Sequence, residues 1–177
     1  MLRKELRKNL DAVKPKERSR RSGEILKKLF SHPKFSAARS LLTYLAVKSE
    51  VETDPILGEA RRHGKRVYIP CLDSKKKQIL AIEVTGKEKL EPNRYGILEP
   101  PFEAKRVGDP KNLDLVIVPG LGFDAQGGRL GRGEGYFDRF LAEAKRAYKM
   151  GLAFECQIID RIPRESHDVV MDEVLIG

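Results

Sequence analysis

Between residues 127 and 138 the chain reads Gly127-Gly128-Arg129-Leu130-Gly131-Arg132-Gly133-Glu134-Gly135-Tyr136-Phe137-Asp138. Glycines at this density let the backbone adopt positive φ and bring its N–H groups against an anion. Arg129 and Arg132 add planar donor forks suited to phosphate, and Asp138 ends the run with a carboxylate of the kind that holds the metal travelling with nucleotide phosphates. An apolar segment, Leu115 to Val118, precedes the run and a helix-like one, Tyr136 to Lys145, follows it. Strand, glycine loop and helix in that order is how a helix N-terminus receives phosphate. The alternative is a flexible turn, rich in glycine only because it is irregular. Neither common phosphate motif accounts for the run. Gly120-Leu121-Gly122-Phe123-Asp124-Ala125 fits G-x-G-x-x-A, but Gly127 and Gly128 follow where a helix should be running, and there is no G-x-x-x-x-G-K-[ST].

The elements that must position these groups follow from periodicity. Leu2, Leu6, Leu10 and Val13 make an apolar stripe of helical spacing, with Arg3 and Arg7 one turn apart on an adjacent face. Pro15 interrupts it, and a second helix is expected from Lys16 to Phe30, giving an N-terminal helical hairpin. Leu41 to Val47 reads as a buried strand, Thr53-Asp54-Pro55 as a helix start, His63-Gly64 as its glycine stop, and Val67 to Pro70 as a second buried strand. That order predicts a parallel crossover. Gln78 to Val84 suggests a further strand after the Lys75-Lys76-Lys77 turn, and residues 92–110 read as an irregular, turn-rich excursion. The regular pattern resumes with a strand at Asp114 to Val118, the glycine run, a helix at Tyr136 to Lys145, a strand at Lys149 to Phe154, and an apolar end from Val169 to Ile176. The expectation is a single α/β domain over 1–177 with a mostly parallel sheet flanked by helices.

Ligands of open α/β sheets bind beyond the carboxyl ends of the strands. Two such ends are recognisable, one running into Lys48-Ser49-Glu50-Val51-Glu52-Thr53 and one into the glycine run. Glu50 is then an acid placed to recognise ring N–H groups, or else a solvent-facing loop glutamate or helix cap. The net charge of +9 raises nucleic acid as a partner, but 26 acidic residues are interspersed with the basic ones and aromatics make up only 7%. A basic enzyme acting on polyanionic small molecules has the same balance. No apolar run approaches the ~20 residues that cross a bilayer, and the basic N-terminus has no apolar core of a secretory signal. Cys71 and Cys156 lie far apart without a partner motif, consistent with reduced thiols and a cytoplasmic location. His32 and His63 read as surface residues, and His167 has no metal-ligand spacing.

The segment Pro119-Gly120-Leu121-Gly122-Phe123-Asp124 followed by Gly128 to Asp138 resembles the signature of the 5-formyltetrahydrofolate cyclo-ligase (methenyltetrahydrofolate synthetase) family. Arg3-Lys4-Glu5-Leu6-Arg7, Glu50-Val51-Glu52-Thr53, Tyr95-Gly96-Ile97-Leu98-Glu99-Pro100, Gly151-Leu152-Ala153-Phe154-Glu155, and His167-Asp168 through Asp172-Glu173-Val174 extend the resemblance over the whole chain. It implies a fold like that of ribose-5-phosphate isomerase and the CoA-transferases, and a Mg2+-dependent reaction of ATP with 5-formyltetrahydrofolate. Also by resemblance, ATP is held by Arg3, Lys4 and Arg7 with Arg129, Leu130, Gly131, Arg132, Gly133, Glu134, Gly135, Tyr136 and Phe137. The folate is held by Leu45, Glu50 and Arg132 to Tyr136. Arg129 and Arg132 are the catalytic cations, and Asp138 and Asp172 serve the metal. The implied partners are ATP and the folate, polyglutamylated or not, with no nucleic acid and no membrane, for a cytoplasmic monomer. Several positions depart from the family pattern: Arg3 replaces a usual lysine, Ala46-Val47 a common Ser-Met pair, Phe137 a frequent tyrosine, and Glu134 adds a negative charge beside the phosphates. Two other readings compete: a basic RNA- or nucleotide-binding module without catalysis, and a sugar-phosphate isomerase or CoA-transferase relative with no use for ATP.

Overall fold

In a computed structural model of the chain, the apolar runs become the strands of one seven-stranded sheet. The structure describes residues 1–93, 96–165 and 168–177; Tyr95 and His167, both within resembling segments, lie outside them. Helices α1 (Leu2–Asp11), α2 (Pro15–Phe30) and the short α3 (Pro33–Ala37) lead into strand β1 (Ser40–Leu42). Helix α4 (Asp54–Arg62) joins β1 to β2 (Arg66–Asp73), and β3 (Gln78–Glu83) folds back on β2. The short strands β4 (Glu91–Pro92), β5 (Leu98–Glu99) and β6 (Val107–Gly108) precede β7 (Leu115–Val118). Then come β8 (Gly122–Phe123), β9 (Arg129–Leu130), helix α5 (Tyr136–Glu143), β10 (Tyr148–Ala153) and β11 (Glu173–Ile176).

The sheet runs β11-β10-β7-β1-β2-β3-β6. Its first five strands are parallel, and β3 pairs antiparallel with both β2 and β6. Side chains alternate between two cores, as a strand buried on both faces requires. Along β7, Leu115 and Ile117 join one cluster with α1, α2 and α4, while Val116 and Val118 join the other with Phe140 and Leu141 of α5. Among the described residues, no helix is long and apolar enough to cross a membrane.

Both N-terminal helices form, each anchored on its own part of the protein. Helix α1 packs against the 3-10 turn Glu155–Gln157, and α2 packs on β11. Leu6 and Leu10 of the stripe are buried, worth about 1.5–3 kcal/mol each.

The first strand is shorter than its apolar run. Its ladder stops at Leu42; Thr43 N still donates to Tyr68 O at 3.0 Å, after which the chain turns away over the sheet end. The buried Thr53 hydroxyl then donates to Tyr44 O, and the Tyr44 hydroxyl to Val51 O. Those bonds give residues 43–53 partners outside the sheet. The excursion is tied down by Glu99, whose Oε1 accepts Leu72 N at 2.9 Å and Asn93 Nδ2 at 2.8 Å. The Cys71 thiol beside it is pushed up to about 11, first by burial and then by the Glu99 charge. His63 is exposed as expected, but His32 is not a surface residue: it is 19% exposed, with Nε2 3.0 Å from Glu173 Oε2 and Nδ1 accepting Lys34 N.

Candidate active site

Strands β1 and β7 are neighbours, yet their crossovers leave in opposite directions. β1 passes through α4 to β2 on one side, and β7 passes through α5 to β10 on the other. Since α4 and α5 pack into different cores, the carboxyl ends of β1 and β7 form a topological switch point, where such sheets open a crevice. The two segments singled out in the sequence emerge there.

On the β1 side, a turn is closed by Glu50 N donating to Val47 O, with Lys48 held at φ 32°. Glu50 Oε2 accepts Val47 N at 3.1 Å, which aims Oε1 across the crevice. There Oε1 meets Arg132 Nη2 at 2.7 Å, joining residues 82 positions apart. The Glu50 side chain is 12% exposed and that of Arg132 is 51% exposed, so Arg132 keeps donors available to a ligand. On the third side, Arg3 Nε donates to Gly131 O at 3.1 Å, bringing the start of α1 against the loop. Lys4 and Arg7 are exposed on the same helix and, among the described residues, make no ion pair or side-chain hydrogen bond. The β2–β3 turn closes the remaining rim: Arg139 Nε donates to Lys77 O at 2.8 Å while its Nη2 donates to Glu134 O.

The glycine run proves to be two structures. Its first part is the end of a hairpin formed by β8 and β9, with Gly127 at φ 76° in the turn. Asp124 organises that turn: Oδ1 accepts Gln126 N at 3.0 Å and Gly128 N at 2.7 Å, and Oδ2 accepts Ile162 N at 2.8 Å. The sequence signal was an acid two and four residues ahead of the amides it accepts, followed by Gly127-Gly128. Only residues 131–135 remain as the loop, with Arg132, Gly133 and Glu134 exposed. Gly133 at φ 111° and Gly135 at φ 66° turn it into α5, where Gly135 is the N-cap. The free N–H groups of the first helical turn thus open beside Arg132.

Several expected contact residues lie below this surface. Leu45 and Leu130 are buried in the core, 6% and 8% exposed. Arg129 is buried too, its side chain 4% exposed. Tyr136 and Phe137 are half-buried, with the Arg139 guanidinium 5.2 Å from the Tyr136 ring.

The two carboxylates assigned to a metal are not brought together. Asp138, in the first turn of α5, gives Oδ1 to Arg129 Nη2 at 2.7 Å, and its Oδ2 has no hydrogen-bond partner among the described residues. Asp172 precedes β11, and its Oδ2 accepts Lys149 N at the start of β10. It lines a cavity of ≈ 350 Å³ with Asp114, Lys145 and Tyr148, at the amino ends of strands whose carboxyl ends carry the loop. Magnesium uses one or two protein carboxylates when phosphates supply its other ligands. Asp138 fits that sparse role, whereas Asp172 is placed away from it. Among the described residues, no cluster of three or more His, Cys, Asp or Glu is arranged to hold a metal alone.

A family model described as the 5-formyltetrahydrofolate cyclo-ligase family matches residues 1–177. The chain belongs to that family. The Mus musculus 5-formyltetrahydrofolate cyclo-ligase is 33% identical over 98% of this chain and 91% of its own length. The Escherichia coli K12 5-formyltetrahydrofolate cyclo-ligase is 28% identical over 96% and 95%. Among solved structures, the Aquifex aeolicus 5,10-methenyltetrahydrofolate synthetase superposes with a TM-score of 0.84 at 31% identity, covering 99% of this chain and 90% of the other. Cyclo-ligase membership makes the chain an enzyme of that family, and it sets aside the RNA-binding and isomerase readings of the same basic loop.

Proposed function

We propose that the chain converts 5-formyltetrahydrofolate and ATP to 5,10-methenyltetrahydrofolate, ADP and phosphate in the crevice between Glu50 and the 131–135 loop. The observation that carries this reading is the Glu50–Arg132 pair at 2.7 Å. An acid suited to pterin N–H groups and a cation suited to phosphate stand one hydrogen bond apart, which suits a reaction between two ligands.

A formamide is a poor electrophile, so its oxygen must become a leaving group. In the proposed reaction that oxygen attacks the γ-phosphorus, the bond to the β,γ-bridging oxygen breaks, and ADP departs. N10 of the folate then attacks the formyl carbon, the carbon–oxygen bond breaks, and phosphate leaves with the N10 proton. The first step needs in-line positioning and charge neutralisation rather than a protein nucleophile. Arg132 and the N–H groups around Gly133 and Gly135 supply these, with Arg3, Lys4 and Arg7 on α1 facing the remaining phosphates. The second step is intramolecular, and orientation alone lowers such barriers by roughly 7–11 kcal/mol in favourable cases. Asp138 would hold Mg2+, which when bound neutralises phosphate charge.

The direct test is to mix the protein with the folate, ATP and Mg2+ and follow methenyl absorbance together with ADP. Product must depend on all three, and its absence with every nucleotide tried sinks the reading. Two variants refine it. Hydrogen bonds to charged groups are worth about 1.5–3 kcal/mol, so Glu50→Gln is expected to raise KM for the folate by about tenfold or more. If only KM for ATP rose, Glu50 would not be at the pterin. Asp138→Asn is expected to raise the Mg2+ concentration for half-maximal rate by about 10–100-fold; an unchanged Mg2+ requirement removes Asp138 from the metal.

A further inference from the structure

Arg129 has the residue type of a phosphate ligand and the surroundings of something else. Its side chain is 4% exposed. Nη2 donates to Asp138 Oδ1 at 2.7 Å and Nη1 to Pro119 O at 3.3 Å. The guanidinium carbon lies 5.9 Å from the Phe137 ring centre, and a Cβ added at Gly131 would come within 2.8 Å of Nη1. One planar group therefore touches the end of β7, the start of the 131–135 loop and the first turn of α5. Nε is buried and, among the described residues, has no hydrogen-bond partner.

A buried ion pair with an unmet donor is a poor device for stability alone, since an apolar group of similar size commonly serves as well. It is a good device for holding three segments in one geometry, because a guanidinium fork fixes direction as well as charge. We infer that Arg129 is a positioning residue rather than a phosphate ligand: it braces the loop that carries Arg132 and orients the Asp138 carboxylate so that one oxygen is held and the other left free. Lysine cannot replace it, having a single point charge where the fork reaches Asp138 and Pro119 at once. Gly131 is glycine here because the brace passes directly beneath it.

Backbone 15N relaxation of the ligand-free full chain tests this, beside Arg129→Lys and Arg129→Met variants checked for folding by thermal melting. In the wild-type chain, residues 131–137 are expected to show order parameters near the rigid-backbone value of about 0.85, falling below about 0.6 in both variants. Strands β7 and β10 should stay unchanged. The kinetic arm rests on the proposed reaction: kcat falls about a hundredfold in both variants, the usual cost of a misplaced reacting group. Unchanged order parameters in the loop overturn the inference. So does equal loosening of β7 and β10, which would make Arg129 merely structural, and so does near wild-type turnover in Arg129→Lys, which would mean that a bare positive charge suffices. A wild-type chain without turnover would refute the proposed reaction, leaving the relaxation arm to decide the role of Arg129.

Discussion

Replacing Arg132 with alanine is expected to lower kcat/KM by about 10²–10³, the usual cost of removing one preorganised donor from a developing charge, with the melting temperature almost unmoved. Both halves follow from where the residue sits. The Arg132 side chain is half-exposed and, among the described residues, its one ion pair is with Glu50, so little core packing is lost. Exposed pairs contribute only about 0.2–1 kcal/mol to folding. Arg132→Lys should recover part of the rate, because charge returns without the planar fork. Steady-state kinetics beside a melting curve decide the matter. A kcat/KM within a few-fold of wild type would place the catalytic cation elsewhere, and Arg3 would be the next candidate on the loop.

The largest stability effect is expected at Asp124. Its carboxylate accepts three backbone N–H groups, from Gln126, Gly128 and Ile162, in a buried turn. Asp124→Ala leaves those donors unmet, and a lost buried partner costs about 1–3 kcal/mol. Even partial access of water to the turn leaves a net loss of about 3 kcal/mol. For a chain of this size that lowers Tm by about 6–12 °C. The same site has a pH signature. Burial on its own raises the Asp124 pKa, but the N–H bonds from Ile162, Gly128 and Gln126 more than offset this and hold it below the ordinary aspartate value. A depressed folded-state pKa gives stability that is full above the unfolded value, about 3.9, and is lost as pH falls through the folded one. Acid titration of stability should therefore be shallower below about pH 4 in Asp124→Ala than in the wild-type chain. Parallel acid limbs would mean that the carboxylate is not engaged as described.

The parts of this fold that were legible in the sequence are those whose partners are near in the chain. The β1–α4–β2 crossover, the Gly64 stop, the turn-rich excursion and the docking stripe on α1 all follow from local period and turn chemistry. The meeting of Glu50 with the glycine loop, 82 positions apart, was legible for a different reason: both segments leave the carboxyl ends of buried strands. What could not be read depends on register between distant segments. Arg129 lies on a two-residue strand, and whether its side chain faces the crevice or the core is set only when β9 pairs with β8. Asp172 sits at the amino edge because β11 pairs in parallel with β10, Met150 opposite Glu173, a partnership that no local pattern announces. The hairpin hidden inside the glycine run was a miss with a local signal, the turn-forming Asp124.

The Glu50–Arg132 pair also has a thermodynamic consequence. Each group occupies the charge that the other's ligand must claim. A ligand that draws the carboxylate away leaves the guanidinium unpaired, and a phosphate that draws the guanidinium away frees the carboxylate. In either order, the first ligand bears the cost of parting them and the second does not. The affinity gained by the second is the same whichever binds first, because coupling free energy is reciprocal. With one partner half-exposed, that coupling is about 1 kcal/mol, or about fivefold in affinity. On the proposed reaction, the crevice would favour being filled by two ligands or by none, and a nucleotide would be held weakly where there is nothing to phosphorylate.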